Sequence, residues 1–222
     1  MKVKLLQRSI FVIPILITIV LFGCIGGGPY VGQMKMRDGI PVIYDKNKTW
    51  VPAWVMGKLP YSEQGGYRDV LQAVGMSAPM RNPELSRRRA ISSGRAELAR
   101  VLGLKVQNLI KEWTQEHTDY FDNSGDSSIV YYEEVGRQIT NAELIGSQVE
   151  AIYEHPVTNI TYALIGISRS EAIEQVMSHM KEIARRRKTA FVEGKVDDAM
   201  KELDDVLKKT KPEDFYESGT IK

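Results

Sequence analysis

The chain has 222 residues, with 30 basic and 28 acidic side chains, three histidines and one cysteine. That length supports one well-cored domain with extensions, or two small domains. A single cysteine excludes an intramolecular disulfide, so the core must hold the fold. The near balance of charge argues against a nucleic-acid-binding domain.

The first 24 residues organise the rest. Lys2, Lys4 and Arg8 precede an apolar run from Ile10 to Phe22, then Gly23-Cys24. A positive start favours the cytoplasmic side of a membrane. The run is short of the roughly 20 residues a span needs, and has the length of a signal-peptide core. Leu21-Phe22-Gly23-Cys24 resembles a bacterial lipobox, with Phe22 bulkier than the usual occupant of its position. The resemblance implies cleavage after residue 23, thioether-linked lipid on Cys24 and an acylated new amino terminus. The competing reading is an uncleaved signal anchor with an inert cysteine. Cys24 is the chain's only cysteine and sits where lipidation needs it. Residues 1–23 are thus expected to be a lipoprotein signal peptide. Residues 24–49, with Gly26-Gly27-Gly28-Pro29, are expected to be a lipidated cysteine and flexible tether. Without its leader the chain carries 27 basic and 28 acidic side chains.

Trp50 and Trp54 flank Pro52, which rules out a regular helix interior and predicts an extended segment. Residues 57–66 read as loop. Residues 67–76 predict a short apolar strand, and Gly75 a close approach to the following helix. Asn82-Pro83-Glu84 is a helix start, with a capping side chain, proline at the first position and an acid in the first turn. The stripe Ile91, Gly94, Leu98, Leu102, Val106, Leu109 and Trp113 predicts a helix to about residue 113, weakened at Gly103.

Residues 117–127 read as a polar loop and 129–144 as a second helix, with Val135, Ile139 and Ala142 inward and Gly146 ending it. Residues 148–153 and 160–167 predict a hairpin turned at 155–159, its second strand apolar enough to be central. Ser168 or Ser170 caps a final helical stretch reaching about residue 207. At about 57 Å it would outrun a small domain, so it either projects or bends at Gly194.

Ala73-Val74-Gly75, Arg95-Ala96-Glu97-Leu98-Ala99-Arg100, Asn141-Ala142-Glu143-Leu144-Ile145-Gly146-Ser147 and Thr161-Tyr162-Ala163-Leu164-Ile165 carry a further resemblance. With Pro52-Ala53-Trp54-Val55, they resemble bacterial lipoproteins typified by a twenty-kilodalton membrane-associated lipoprotein antigen. Flagellar outer-membrane disk lipoproteins are similar to that family. The resemblance covers about 50–168. It implies a small α+β domain with helices packed on an antiparallel sheet, and supplies no catalytic residues. Residues 169–222 lie outside it, as a long C-terminal helical extension.

No catalytic constellation is apparent. His117, His155 and His179 lack metal-ligand spacing and read as loop or solvated histidines. There is no nucleophile elbow and no phosphate-binding glycine loop. Arg87-Arg88-Arg89 and Arg185-Arg186-Arg187-Lys188 offer phosphate contacts, but fan around their helices and read better as solvated residues paired with acids. The expectation is therefore no catalytic, metal or cofactor residue, and lipidation at Cys24. The expected role is a non-enzymatic, lipid-anchored envelope lipoprotein acting as scaffold or assembly subunit. Its place is the periplasmic side, at the outer membrane rather than the inner because Ile25 is not acidic. Expected partners are the membrane, and a second copy or an envelope complex. A narrow seam of Ala199, Leu203, Val206 and Leu207 is the candidate contact between copies. The alternative is a periplasmic lipoprotein that binds a small molecule or glycan, in a pocket lined by Trp50, Trp54 or Tyr162.

Overall fold

The fold is known from a computed structural model that describes residues 31–59, 69–122, 127–142 and 144–211. The expected signal peptide (residues 1–23), Cys24, most of the 57–66 loop and the stretch from Pro212 onward lie outside the described residues.

The organising strand is β6 (Thr161–Ser168), which pairs antiparallel with β4 (Val70–Ser77) on one side and β5 (Gln148–Glu154) on the other. Its apolar run places it at the centre of this main sheet, as predicted. Strand alternation divides its residues between two faces. Ala163, Ile165 and Ile167 join Leu71 and Ala73 in the large core with the helices. Tyr162 and Leu164 face the other way and pack with Trp54, Val74, Ala151 and Tyr153.

Helix α1 (Pro83–Glu116) lies on the first face. Asn82 caps it by accepting from the Glu84 amide at 3.0 Å. Gly75 and Gly94 meet where α1 crosses β4; a Cβ on Gly75 would collide with the backbone of Ala90 and Gly94. Further along, α1 packs on α2 (Ser127–Asn141). There a Cβ on Gly103 would come 2.9 Å from the Gly136 carbonyl. Gly103 thus costs the helix propensity but permits the helix–helix crossing. Helix α2 starts and ends earlier than expected, and Gly146 lies beyond it with φ of 82°. Val135 and Ile139 are buried as predicted; Ala142 is half-buried just after the helix.

The C-terminal extension is two helices, α3 (Arg169–Arg186) and α4 (Val196–Lys209). Ser168, not Ser170, caps α3 by accepting from the Glu171 amide. The chain breaks after Arg187 through a 3-10 turn at Lys188–Ala190 and reverses at Gly194, whose φ is 80°. The stretch therefore bends back instead of projecting. Ala199, Met200, Leu203 and Leu207 are 0–3% exposed within the large core. This corrects the expected seam between copies: its apolar residues are consumed inside the same chain.

The order strand, helix, 3-10 turn, phenylalanine, helix occurs twice, from β4 to α2 and from β6 to α4. The two phenylalanines, Phe121 and Phe191, form an antiparallel bridge with ring centroids 4.9 Å apart. Tyr131 packs against both. The expected polar loop after α1 is therefore partly core: Phe121 is 5% exposed.

A second correction concerns the tether. Residues 34–52 form a three-stranded antiparallel sheet: β1 (Met34–Arg37), β2 (Ile40–Tyr44) and β3 (Trp50–Pro52). Asp38 and Gly39 both have positive φ, 52° and 79°, the geometry of a tight two-residue hairpin turn. β3 continues into a 3-10 turn, Ala53–Met56, so only half of the tryptophan segment is extended. That turn sets Trp54, 2% exposed, on the second face of the main sheet. The layers are thus helices, main sheet and N-terminal sheet, an α+β fold.

Candidate functional site

The two sheets meet at a buried polar pair. Asp45, at the end of β2, and His155, at the end of β5, are 5% and 3% exposed. His155 Nε2 stands 2.7 Å from Asp45 Oδ2. His155 Nδ1 accepts from the amides of Val157 and Thr158 at 3.1 and 3.2 Å, so Nδ1 carries no proton and Nε2 donates to the carboxylate. Asp45 also accepts from the Asn47 amide, the Asn47 side chain and the Thr49 amide, at 3.0, 2.9 and 2.8 Å. Burial pushes the Asp45 carboxyl up, but the bonds from His155, Thr49 and Asn47 outweigh it and hold it below the ordinary carboxylate range. Burial, and then the Asp45 charge, push the hydroxyls of Tyr153 and Tyr162 up.

This geometry answers what the pair can do. A general base needs a ring nitrogen free to take a proton from a nucleophile. Here one nitrogen is held by two amides and the other by the carboxylate. The pair fixes the 155–159 turn onto the N-terminal sheet and offers no nitrogen to a substrate. His155 is neither solvated nor a free loop side chain, which corrects the expectation. Its partner went unseen because Asp45 lay in the supposed tether.

His117 accepts no such role either; its Nε2 stands 2.9 Å from Glu202 Oε1 and links the end of α1 to α4. His179 is half-buried on α3. Among the described residues no group of three or more histidine, cysteine, aspartate or glutamate side chains is placed to hold a metal. Nor is any helix among them long and apolar enough to cross a membrane.

The basic runs divide. Arg88 pairs with Glu84, while Arg87 and Arg89 are exposed. Arg187 bonds the largely buried Glu134 at 2.8 Å, and Arg186 lies 3.7 Å from the same carboxylate. The second run thus supplies the charge that a buried acid on α2 requires.

None of Trp50, Trp54 and Tyr162 lines the groove between α3 and α4. Trp54 is packed against Leu164, and Trp50 packs at a tilt against Tyr44 with Lys35 Nζ 4.0 Å over its ring. The groove has a volume of about 550 Å³. Ile173 and Met177 form its floor; Arg169, Lys181, Asp204 and Lys208 line its rim. Arg169 donates to the carbonyls of Lys208 and Thr210 at 2.8 and 2.9 Å and to Asp69, which closes one end. Lys195 bonds Asp119 at 2.8 Å and holds the start of α4. Reading the sequence missed this groove because it follows from the reversal at Gly194.

No protein-family model matches the chain, and no curated protein matches its sequence. The fold and site define an α+β domain of helices on an antiparallel sheet, with a second small sheet on the opposite face.

Proposed function

We propose that the chain is a lipid-anchored bacterial envelope lipoprotein, similar to the twenty-kilodalton antigen type, serving as a non-enzymatic scaffold or assembly subunit. The observation that carries this is Leu21-Phe22-Gly23-Cys24 after a basic start and an apolar run, ending on the chain's single cysteine. The position of the first strand among the described residues supports it. β1 begins at Met34, ten residues past Cys24, so the folded domain follows the anchor closely. Acyl chains contribute about 0.8 kcal/mol per buried methylene, and two anchor a protein stably. The anchor places the domain on the periplasmic side, at the outer membrane if Ile25 fails to retain it at the inner one. The test is palmitate labelling in a bacterial host. Cys24→Ala abolishes both processing and label; labelling of that variant at the level of the unmutated chain overturns the reading.

The groove between α3 and α4 favours a second reading, a lipoprotein that binds an apolar small molecule there. Its floor of Ile173 and Met177 under a charged rim has the make-up of a ligand site. Met177→Trp would fill the floor. Loss of binding of an apolar fluorescent probe in that variant, with its melting temperature kept, supports this reading; unchanged binding removes it.

A further inference from the structure

The N-terminal sheet has a surface the core does not explain. Val31, in the turn before its edge strand, is 63% exposed, and Met34 and Met36 on that strand are 52% and 62% exposed. Met34 and Met36 alternate with Lys35 and Arg37, so apolar and cationic side chains stand on opposite faces of β1. Among the described residues β1 pairs only with β2, which leaves its outer edge open.

The charge here is also distinct. Residues 31–59 hold five basic side chains and two acidic ones, and one of those acids, Asp45, is buried against His155. The remaining residues after Cys24 hold 22 basic and 26 acidic side chains. Positive charge is therefore concentrated on the small sheet of a chain that is otherwise net acidic.

The third observation is position. The chain enters the sheet beside the turn between β2 and β3: the Gly32 amide donates to the Tyr44 carbonyl at 2.8 Å, and the Tyr44 amide to Gln33 at 2.9 Å. That turn carries the exposed Lys46 and Lys48. Only residues 25–30 separate Cys24 from Val31, and a fully extended chain of that length reaches about 25 Å. A lipid on Cys24 would hold this sheet, before any other part of the domain, within that distance of the bilayer.

We infer that the N-terminal sheet is the face the domain lays on an anionic lipid surface, with Met34 and Met36 at headgroup level and Lys46 and Lys48 against lipid phosphate. The inference rests on the lipid anchor proposed above. Cations near such a surface are attracted to it, and one acyl signal combined with a basic patch binds better than either alone. A second copy docking on the open edge of β1 is disfavoured, because it would bring two clusters of like charge together.

The test uses the lipidated chain in vesicles containing phosphatidylglycerol. A thioether on Cys24 blocks its thiol, so Met36→Cys and, as a control on the helical layer, Leu104→Cys each introduce one labelling site. Leu104 is 47% exposed on α1. An environment-sensitive fluorophore at position 36 is expected to shift to the blue and lose intensity when spin-labelled lipid is added. The same probe at 104 should stay at its solvent values. Lys46→Glu with Lys48→Glu should reverse the effect at 36. A solvent-like probe at 36 in protein that has incorporated palmitate overturns the docking face and leaves the anchor standing. A blue shift at 36 that spin-labelled lipid does not quench also overturns it, in favour of a second copy. Absence of palmitate, with Cys24 itself taking the thiol label, overturns both together.

Discussion

Gly75 on β4 and Gly94 on α1 lie backbone to backbone, with no room between them for a side-chain carbon. The contact sets the distance between the first half of α1 and the main sheet. It allows Leu98, Ala99 and Leu102 to reach the same core as Leu71, Ala73 and Ile165. Overpacked sites cost typically 1–3 kcal/mol, and more where backbone cannot yield. Gly75→Ala meets backbone on two residues of α1, so it should lose about 3 kcal/mol or more. Chemical denaturation would measure it, and a loss below about 1 kcal/mol would show that the helix can slide away from the strand.

Leu98 belongs to the same contact region and is 1% exposed. Leu98→Ala should cost roughly 2–5 kcal/mol, since its cavity has sheet on one side and helix on the other and cannot collapse freely. The melting temperature should fall accordingly. An unchanged value would mean that the face of α1 assigned to the core is the wrong one.

The Asp45–His155 pair predicts a pH dependence with a definite sign. The folded state holds the Asp45 carboxyl below its ordinary value, whereas the unfolded chain leaves it near 3.9. Its contribution is therefore fully present above about pH 4 and is lost as pH falls through the lower, folded value. Hydrogen bonds to a charged group are worth about 1.5–3 kcal/mol. Asp45→Asn should lose roughly that at pH 7, and the gap from the unmutated chain should narrow steadily below about pH 4. Trp50 and Trp54, both close to this junction, make tryptophan fluorescence a suitable probe. A gap that stays constant down to pH 2 would remove the charge from the account.

Much of the fold was legible because its signals are local. Asn82-Pro83-Glu84 announces α1, the apolar run of β6 announces a central strand, and Gly75 announces close packing. The N-terminal sheet was missed although its clearest signal is present. Asp38-Gly39 is a strong hairpin turn, with Met34–Arg37 before it and Ile40–Tyr44, which carries the β-branched Ile40, Val42 and Ile43, after it. The glycine run upstream drew the whole stretch into a tether. Overlooking β2 hid Asp45, and without Asp45 nothing marked His155 as buried. Neither residue has a partner within its own element: they are 110 positions apart, and only the fold brings them to 2.7 Å. The groove between α3 and α4 was beyond sequence reading for the same reason, since it exists only once the chain has reversed.

The reversal also decides what Leu203 does. An isolated 14-residue helix is marginal in water, so α4 needs a surface. Its apolar seam could be met by a neighbouring copy or by its own domain. In the fold Leu203 is 1% exposed and Leu207 2%, in the core that also holds Ile183 and Tyr131. Arg169 and Lys195 hold the two ends of the helix. Substituting aspartate at both leucines would therefore place unpaired charge in the core and disrupt the domain, not merely separate copies. Leu203→Ala should cost about 2–5 kcal/mol. Arg169→Ala should release the end of α4 at smaller cost, because it leaves the apolar contacts in place. Amide hydrogen exchange distinguishes the two. Leu203→Ala should accelerate exchange along all of α4, and Arg169→Ala mainly in its last turn. Unchanged exchange in Leu203→Ala would return the helix to the role of an exposed seam and revive the contact between copies.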